Sequence, residues 1–211
     1  MKLIILAFLS VCFSFSAFAE SIDVEYSRFY SHVRKLDNED TQALQFAFGF
    51  LRVGEGRLCQ INSAEIVTDK KTIPLSVTPE SRFTVPMERA LKLANAYIHI
   101  DLVEAANVCD MSVQLETKPE YLKQKYSIDE LNFIYDQYEA FFNEMGSFLS
   151  FLMPSVKGLM IHFSDANLDY ITPEGGQINN GVLHIDRQWI DTHKGLTLPQ
   201  APLRVTAMAS S

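Results

Sequence analysis

The segment from Ser127 to Pro154 is the longest stretch of the chain with helical periodicity, and it restricts the possible folds more than any other feature. Ser127 and Glu130 have the spacing of a capping box, in which a hydroxyl and a carboxylate satisfy free N–H groups at a helix start. The apolar residues that follow recur every three or four positions until Pro154 stops the helix: Leu131, Ile134, Tyr135, Tyr138, Phe141, Phe142, Met145, Phe148 and Leu149. Such an aromatic stripe could line a ligand groove, but it is more typical of a helix face packed on a sheet.

Short alternating segments on both sides of this helix predict the sheet. In the clearest of them, Leu44, Phe46, Phe48 and Phe50 alternate with smaller or polar residues and share one face. Similar runs occupy residues 58–61, 66–67, 73–77, 82–85, 97–103, 108–115, 159–163, 168–171, 182–189 and 203–207. We therefore predict an α+β fold that is antiparallel and β-rich, either sandwich-like or a curled sheet, with the long amphipathic helix packed on it.

The domain organisation follows from the order of these segments. Residues 42–116 are rich in strands, residues 117–153 are helical, and residues 157–208 return to strands. Within the helical part, Thr117 with Glu120 forms a second capping box, which predicts an additional helix before the long one. No linker rich in proline, glycine or serine separates these parts, so we expect residues 20–211 to form a single domain.

The N-terminus has the features of a signal peptide. Lys2 precedes an apolar run, and Ala17-Phe18-Ala19 presents small residues where a signal peptidase cleaves, so cleavage is predicted between Ala19 and Glu20. The apolar run is too short for a membrane span, which needs roughly 20 residues. Lipidation at Cys12 is disfavoured because Val11 precedes it. We expect an exported, soluble protein that does not span the membrane after the signal peptide is removed.

Charge and cysteine content restrict the partners and the redox chemistry. Removal of Lys2, the one charged residue among residues 1–19, takes the formal net charge from −8 to −9, which argues against nucleic acid as a partner. Export leaves Cys59 and Cys109, each on the apolar side of an alternating run. In an oxidising compartment they are expected to form a structural disulfide. A redox centre is disfavoured because there is no Cys-x-x-Cys spacing.

Residues with catalytic or metal-binding chemistry are most concentrated near the C-terminus. His162, His184 and Asp186 are the candidates for a metal site, because pairing of their strands would place both imidazoles on one face. The favoured interpretation is a solvated strand face, since Leu183 and Ile185 form the opposite, apolar face and no zinc-binding spacing is present. We therefore predict no metal and no cofactor. The sequence nominates no catalytic residue, because signatures of nucleophilic hydrolases and of phosphate-binding loops are absent.

The order of features resembles a known family. A signal peptide, a cysteine after a phenylalanine-rich strand, the segment 82–88, a second cysteine, a long aromatic helix ending in Met153-Pro154, and Gly158-Leu159 at a strand start are similar to the domain-of-unknown-function family 2987. That family gathers uncharacterised exported proteins of gammaproteobacteria. The resemblance covers most of the mature chain, implies a periplasmic location, and supplies no reaction or catalytic residue.

Two functions from different classes are consistent with the sequence. The favoured one is a non-catalytic module of the cell envelope that binds another protein, a glycan or a lipid through sheet edges or the aromatic helix. The alternative is a periplasmic hydrolase of cell-wall or glycan material, suggested by the compartment and by the histidine and aspartate content of residues 162–193.

Overall fold

The computed structural model describes residues 20–146 and 155–209. The strands are β1 (Glu20–Glu25), β2 (Leu44–Arg52), β3 (Ile61–Val67), β4 (Thr72–Leu75), β5 (Tyr97–Leu102), β6 (Cys109–Thr117), β7 (Lys125–Ser127), β8 (Val156–His162), β9 (Tyr170–Ile171), β10 (Gln177–Asn179), β11 (Val182–Asp186), β12 (Gly195–Thr197) and β13 (Arg204–Ala209). The helices are α1 (Tyr26–Val33), α2 (Arg89–Leu93), α3 (Ile128–Gly146) and α4 (Arg187–Thr192). The predicted signal peptide and the predicted helix end at Pro154 lie outside the described residues.

The strands form four antiparallel groups. One sheet has the order β1-β5-β3-β4, and a second has the order β13-β8-β11-β10-β9. The remaining strands form the pairs β2–β6 and β7–β12. With α3 packed on these strands and no closed barrel within the described residues, the predicted α+β class is confirmed.

The long helix is fixed to the strands by both apolar and polar contacts. Its stripe is buried from Leu131 to Phe141, and Tyr138 is fully buried. The Tyr138 hydroxyl donates to the Val205 carbonyl of β13 at 2.7 Å and lies 3.1 Å from Thr117 Oγ1 of β6. Tyr138 therefore joins α3 to two different groups of strands. Met145, the last member of the stripe within the described residues, is 43% exposed.

The two predicted capping boxes have different outcomes. In the confirmed one, the Ser127 N–H donates to Glu130 Oε2 at 2.9 Å, and the Glu130 N–H donates to Ser127 Oγ at 3.2 Å. The one predicted at Thr117 and Glu120 is wrong. Thr117 is the last residue of β6, and its hydroxyl is buried against Tyr138, so it caps nothing. A single 3-10 turn at Pro119–Tyr121 takes the place of the predicted extra helix.

The strand predicted over residues 182–189 is shorter than expected. It ends at Asp186, where the Asp186 carboxylate accepts the Trp189 N–H at 2.7 Å and caps α4. A side chain that satisfies a free N–H at this position stabilises a helix start, which outweighs the strand pattern of the preceding residues. Trp189 therefore lies on a helix and does not extend the apolar face of β11.

Cys59 and Cys109 form a disulfide, as the sequence predicts. Cys59 and Cys109 are bonded across a sequence separation of 50 residues, and both are buried. None of the helices in the described part of the chain is long and apolar enough to cross a bilayer.

Candidate functional site

The structure brings the three metal candidates onto one sheet face. In the β8–β11 pair, His162 is opposite Val182 and His184 is opposite Met160, so the two imidazoles are diagonal neighbours. Asp186 follows at the next position on that face, opposite Gly158. The expectation that His162 and His184 face the same side is therefore met.

The three side chains nevertheless have separate surroundings. His162 Nε2 lies 3.2 Å from Thr206 Oγ1, His184 is exposed, and Asp186 caps α4. The described residues contain no group of three or more histidine, cysteine or acidic side chains arranged to hold a metal ion. Nearby, His193 stacks on Trp189 at 4.0 Å between ring centroids, and Asp191 pairs with Arg187 at 2.5 Å.

His162 belongs to a group of ionisable residues that the sequence does not reveal. We define the charged cluster as Glu80, Arg82, Glu116, His162 and Arg204. Arg204 forms an ion pair with Glu80, while its buried Nε has no hydrogen-bond partner in the described structure. Glu116 accepts a hydrogen bond from Gln45 Nε2 at 2.9 Å, and Arg82 donates to the Ala47 carbonyl at 3.4 Å.

Burial sets the protonation of this cluster. Loss of solvent raises the pKa of Glu116, in spite of the opposing effects of Gln45, Arg204 and Arg82. Burial and the neighbouring positive charge of Arg204 lower the pKa of His162 to about 4, so this imidazole is neutral at pH 7. Groups with oppositely shifted pKa values occur in acid–base catalysis and also in structural ion-pair networks.

The raised pKa of Glu116 leads to a stability prediction. A carboxyl whose pKa is higher in the folded state stabilises the fold while protonated, and this contribution is lost as pH rises through the folded value. The neutral Glu116→Gln variant should therefore be more stable than the wild type at pH 8, and its advantage should shrink toward pH 5. Urea unfolding at both pH values measures this, with Glu120→Gln on the exposed surface as control. A Glu116→Gln variant with no stability gain at pH 8 would contradict the assignment.

A groove of about 520 Å³ lies beside the first half of β2. We call it the β2 groove. Its walls come from α1 and the turn after it, from β2, from β4, from the segment after Phe83 and from the end of β6: Val33, Leu36, Leu44, Gln45, Phe46, Pro74, Leu75, Ser76, Thr84, Val85, Pro86, Met87 and Lys118. Most of these side chains are apolar. Neither Glu116 nor His162 lines it, so the groove and the charged cluster are separate features.

The β2 groove lies where a hydrogen-bonded ladder stops. Phe48 and Phe83 exchange both main-chain hydrogen bonds at 2.8 Å. Continuation of that ladder would pair Phe46 with Val85 and Leu44 with Met87, but these pairs have no hydrogen bond. Because bonded positions alternate in an antiparallel pair, Leu44 and Phe46 point their N–H and C=O groups away from β6. Both residues are buried, yet these main-chain groups have no partner within the described chain.

Tyr26 explains why the ladder stops. Its hydroxyl donates to the Pro86 carbonyl at 2.5 Å and accepts the Glu88 N–H at 2.9 Å. Tyr26 is fully buried, so these bonds hold the segment 86–88 against the start of α1 and away from β2. Main-chain groups that face a groove without a strand partner can form hydrogen bonds with an extended ligand.

Comparison with known proteins identifies the family. A family model described as "Protein of unknown function (DUF2987)" matches residues 18–163, which is more than half of the chain. The chain belongs to the DUF2987 family. No curated protein and no solved structure matches it.

The DUF2987 match covers the whole β2 groove and all of the charged cluster except Arg204. All thirteen groove residues, from Val33 to Lys118, fall inside the matched range, as do both cysteines of the disulfide. His184, Asp186 and Arg204 fall after it. The β2 groove is therefore built entirely from the part of the chain that matches the DUF2987 family, whereas of the three metal candidates only His162 lies within that part.

Proposed function

We propose that this protein is a non-catalytic, periplasmic binding module that takes up a short extended segment of a partner polypeptide in the β2 groove. The observation that carries the proposal is the pair Leu44 and Phe46, whose main-chain groups face the β2 groove and have no hydrogen-bond partner within the described chain. A peptide strand supplies both the donors and the acceptors that such an edge lacks. Strand addition of this kind is a recurrent mode of peptide recognition, in which side-chain pockets add specificity.

The periplasmic part of the proposal rests on the N-terminus and the disulfide. Residues 1–19 have the pattern of a signal peptide, and a buried structural disulfide suits an oxidising compartment. The acidic surface is consistent with a partner other than nucleic acid.

A side chain that fills the β2 groove should weaken peptide binding. Thr84 is exposed and lines the groove, so a Thr84→Trp side chain would fill the groove without entering the core. Peptides selected from a random displayed library on the protein purified from the periplasm should lose at least about tenfold in affinity for this variant, which corresponds to about 1.4 kcal/mol. The matched control is Ser164→Trp, at an exposed position outside the groove, which should bind as the wild type does.

Hydrogen exchange locates the bound peptide independently of mutation. Binding should slow exchange of the Leu44 and Phe46 amides, because a peptide strand would accept hydrogen bonds from them. If peptide binding slowed amide exchange only in the exposed edge strand β9, the proposal would be contradicted. Turnover in a broad hydrolase screen that is lost in the Glu116→Gln variant would overturn it in favour of an enzyme.

A further inference from the structure

The charge of the β2 groove identifies which part of a partner would enter it. Among the described residues that line the groove, Lys118 is the single one with an ionisable side chain. The protein as a whole carries a formal net charge of −8, whereas the described lining of the groove contributes this single positive charge.

Lys118 lies at the end of the groove where β2 begins. Its N–H donates to the Ala43 carbonyl at 2.8 Å, which places it beside Leu44, and its ammonium donates to the Gln42 carbonyl at 2.6 Å. An ammonium group has three donors. One contact therefore fixes its position, and two donors remain for a ligand.

The strand geometry determines which end of a peptide reaches Lys118. The available edge runs from Leu44 to Phe46, roughly 10 Å at about 3.4 Å per residue, and the Phe48–Phe83 pair closes it at the other end. The segment at Phe83 runs antiparallel to β2, toward Leu44. A peptide strand that runs in the same direction as this segment would bring its carboxyl end to Lys118. The peptide residues before that end would leave the groove past Ser76 and Thr84, which are exposed. In the opposite orientation, an amino terminus would meet the ammonium and be repelled.

We infer that the β2 groove recognises the free carboxyl terminus of a partner polypeptide, with the terminal carboxylate bound by Lys118. This inference rests on the proposed function and adds the identity of the bound end. A fatty acid also carries a carboxylate on an apolar chain, but it has no main-chain groups to pair with Leu44 and Phe46. The polypeptide is therefore the ligand that satisfies both the strand edge and the cation.

The test compares each library-selected peptide as a free acid and as a C-terminal amide. Against the wild type, amidation should weaken binding about tenfold, because it removes a charge-assisted hydrogen bond. The Lys118→Met variant should bind both forms equally, at the affinity of the amide on the wild type. Lys118→Arg should restore the preference for the acid. Lys157→Met, at an exposed lysine outside the groove, is the matched control and should behave as the wild type does.

The outcomes separate this inference from the proposed function. Equal binding of acid and amide to the wild type would overturn carboxylate recognition and leave strand addition standing. Failure of every peptide in both forms would overturn the proposed function itself. Saturable binding of palmitate that requires Lys118, without any peptide binding, would replace the polypeptide by a fatty acid.

Discussion

The Gly158→Ala variant is expected to lose about 4 kcal/mol or more of its unfolding free energy, which places it among the severe single substitutions. Gly158 lies in β8, paired with Asp186 of β11 on one side and Met208 of β13 on the other. A Cβ atom at this position would lie 2.1 Å from the Ile185 carbonyl oxygen and 2.6 Å from Asp186 Cα. Both atoms belong to the main chain, so no side-chain rotation relieves the overlap. The sheet itself would have to separate where β11 ends and α4 begins.

Urea unfolding of Gly158→Ala beside Gly175→Ala distinguishes this overlap from an ordinary cost of replacing glycine. Gly175 has a positive φ of 87°, and a Cβ there would meet no atom within 4 Å. Its replacement should cost only about 1 to 2 kcal/mol, the usual penalty for a side chain in the left-handed region. Equal losses of unfolding free energy in the two variants would show that the close approach of β11 to Gly158 is not what makes the Gly158→Ala substitution costly. Since native domains are stable by only about 5–15 kcal/mol, the Gly158 variant should also accumulate poorly in cells.

Local sequence patterns predicted the fold where a residue's neighbours in sequence are also its partners in space. The box at Ser127 and Glu130 involves residues three apart, and it is present in the structure. The same pattern at Thr117 failed because the partner of that hydroxyl is Tyr138, which lies 21 residues away. The end of β11 had a local signal, the capping residue Asp186, but the alternation of the preceding residues favoured a longer strand.

The β2 groove could not be predicted from the sequence for a related reason. It depends on a contact between Tyr26 and Pro86, which are separated by 60 residues. The sequence does not reveal that contact, and the pattern of residues 82–85 alone is the same as that of a strand paired along its whole length. The charged cluster also escapes prediction, since Glu80, Glu116 and Arg204 come from three distant segments. By contrast, the relation between His162 and His184 follows from the alternation of two strands and needs only the correct pairing.

Removal of the disulfide is the second substitution for which a large effect is expected. The Cys59→Ala/Cys109→Ala double variant should unfold with a free energy about 4 kcal/mol below that of the wild type, because the bond closes a loop with a sequence separation of 50 residues and restricts the unfolded chain. The closed loop contains β3, β4, α2 and β5, and with them the groove wall from Pro74 to Met87. The variant should therefore lose peptide binding and folded structure at the same urea concentration.

A reducing agent provides the control for that experiment. Reduced wild type should unfold at nearly the urea concentration of the double variant, whereas the agent should leave the variant unchanged, because it has no mature disulfide to lose. A wild type whose unfolding does not respond to reduction would contradict a stabilising disulfide.

If reduction has the expected effect, the same protein held in a reducing cytosol would lack about 4 kcal/mol of its stability. An oxidising environment would then be a condition for a stable fold, and with it for the β2 groove, because part of the groove wall lies inside the loop that the disulfide closes.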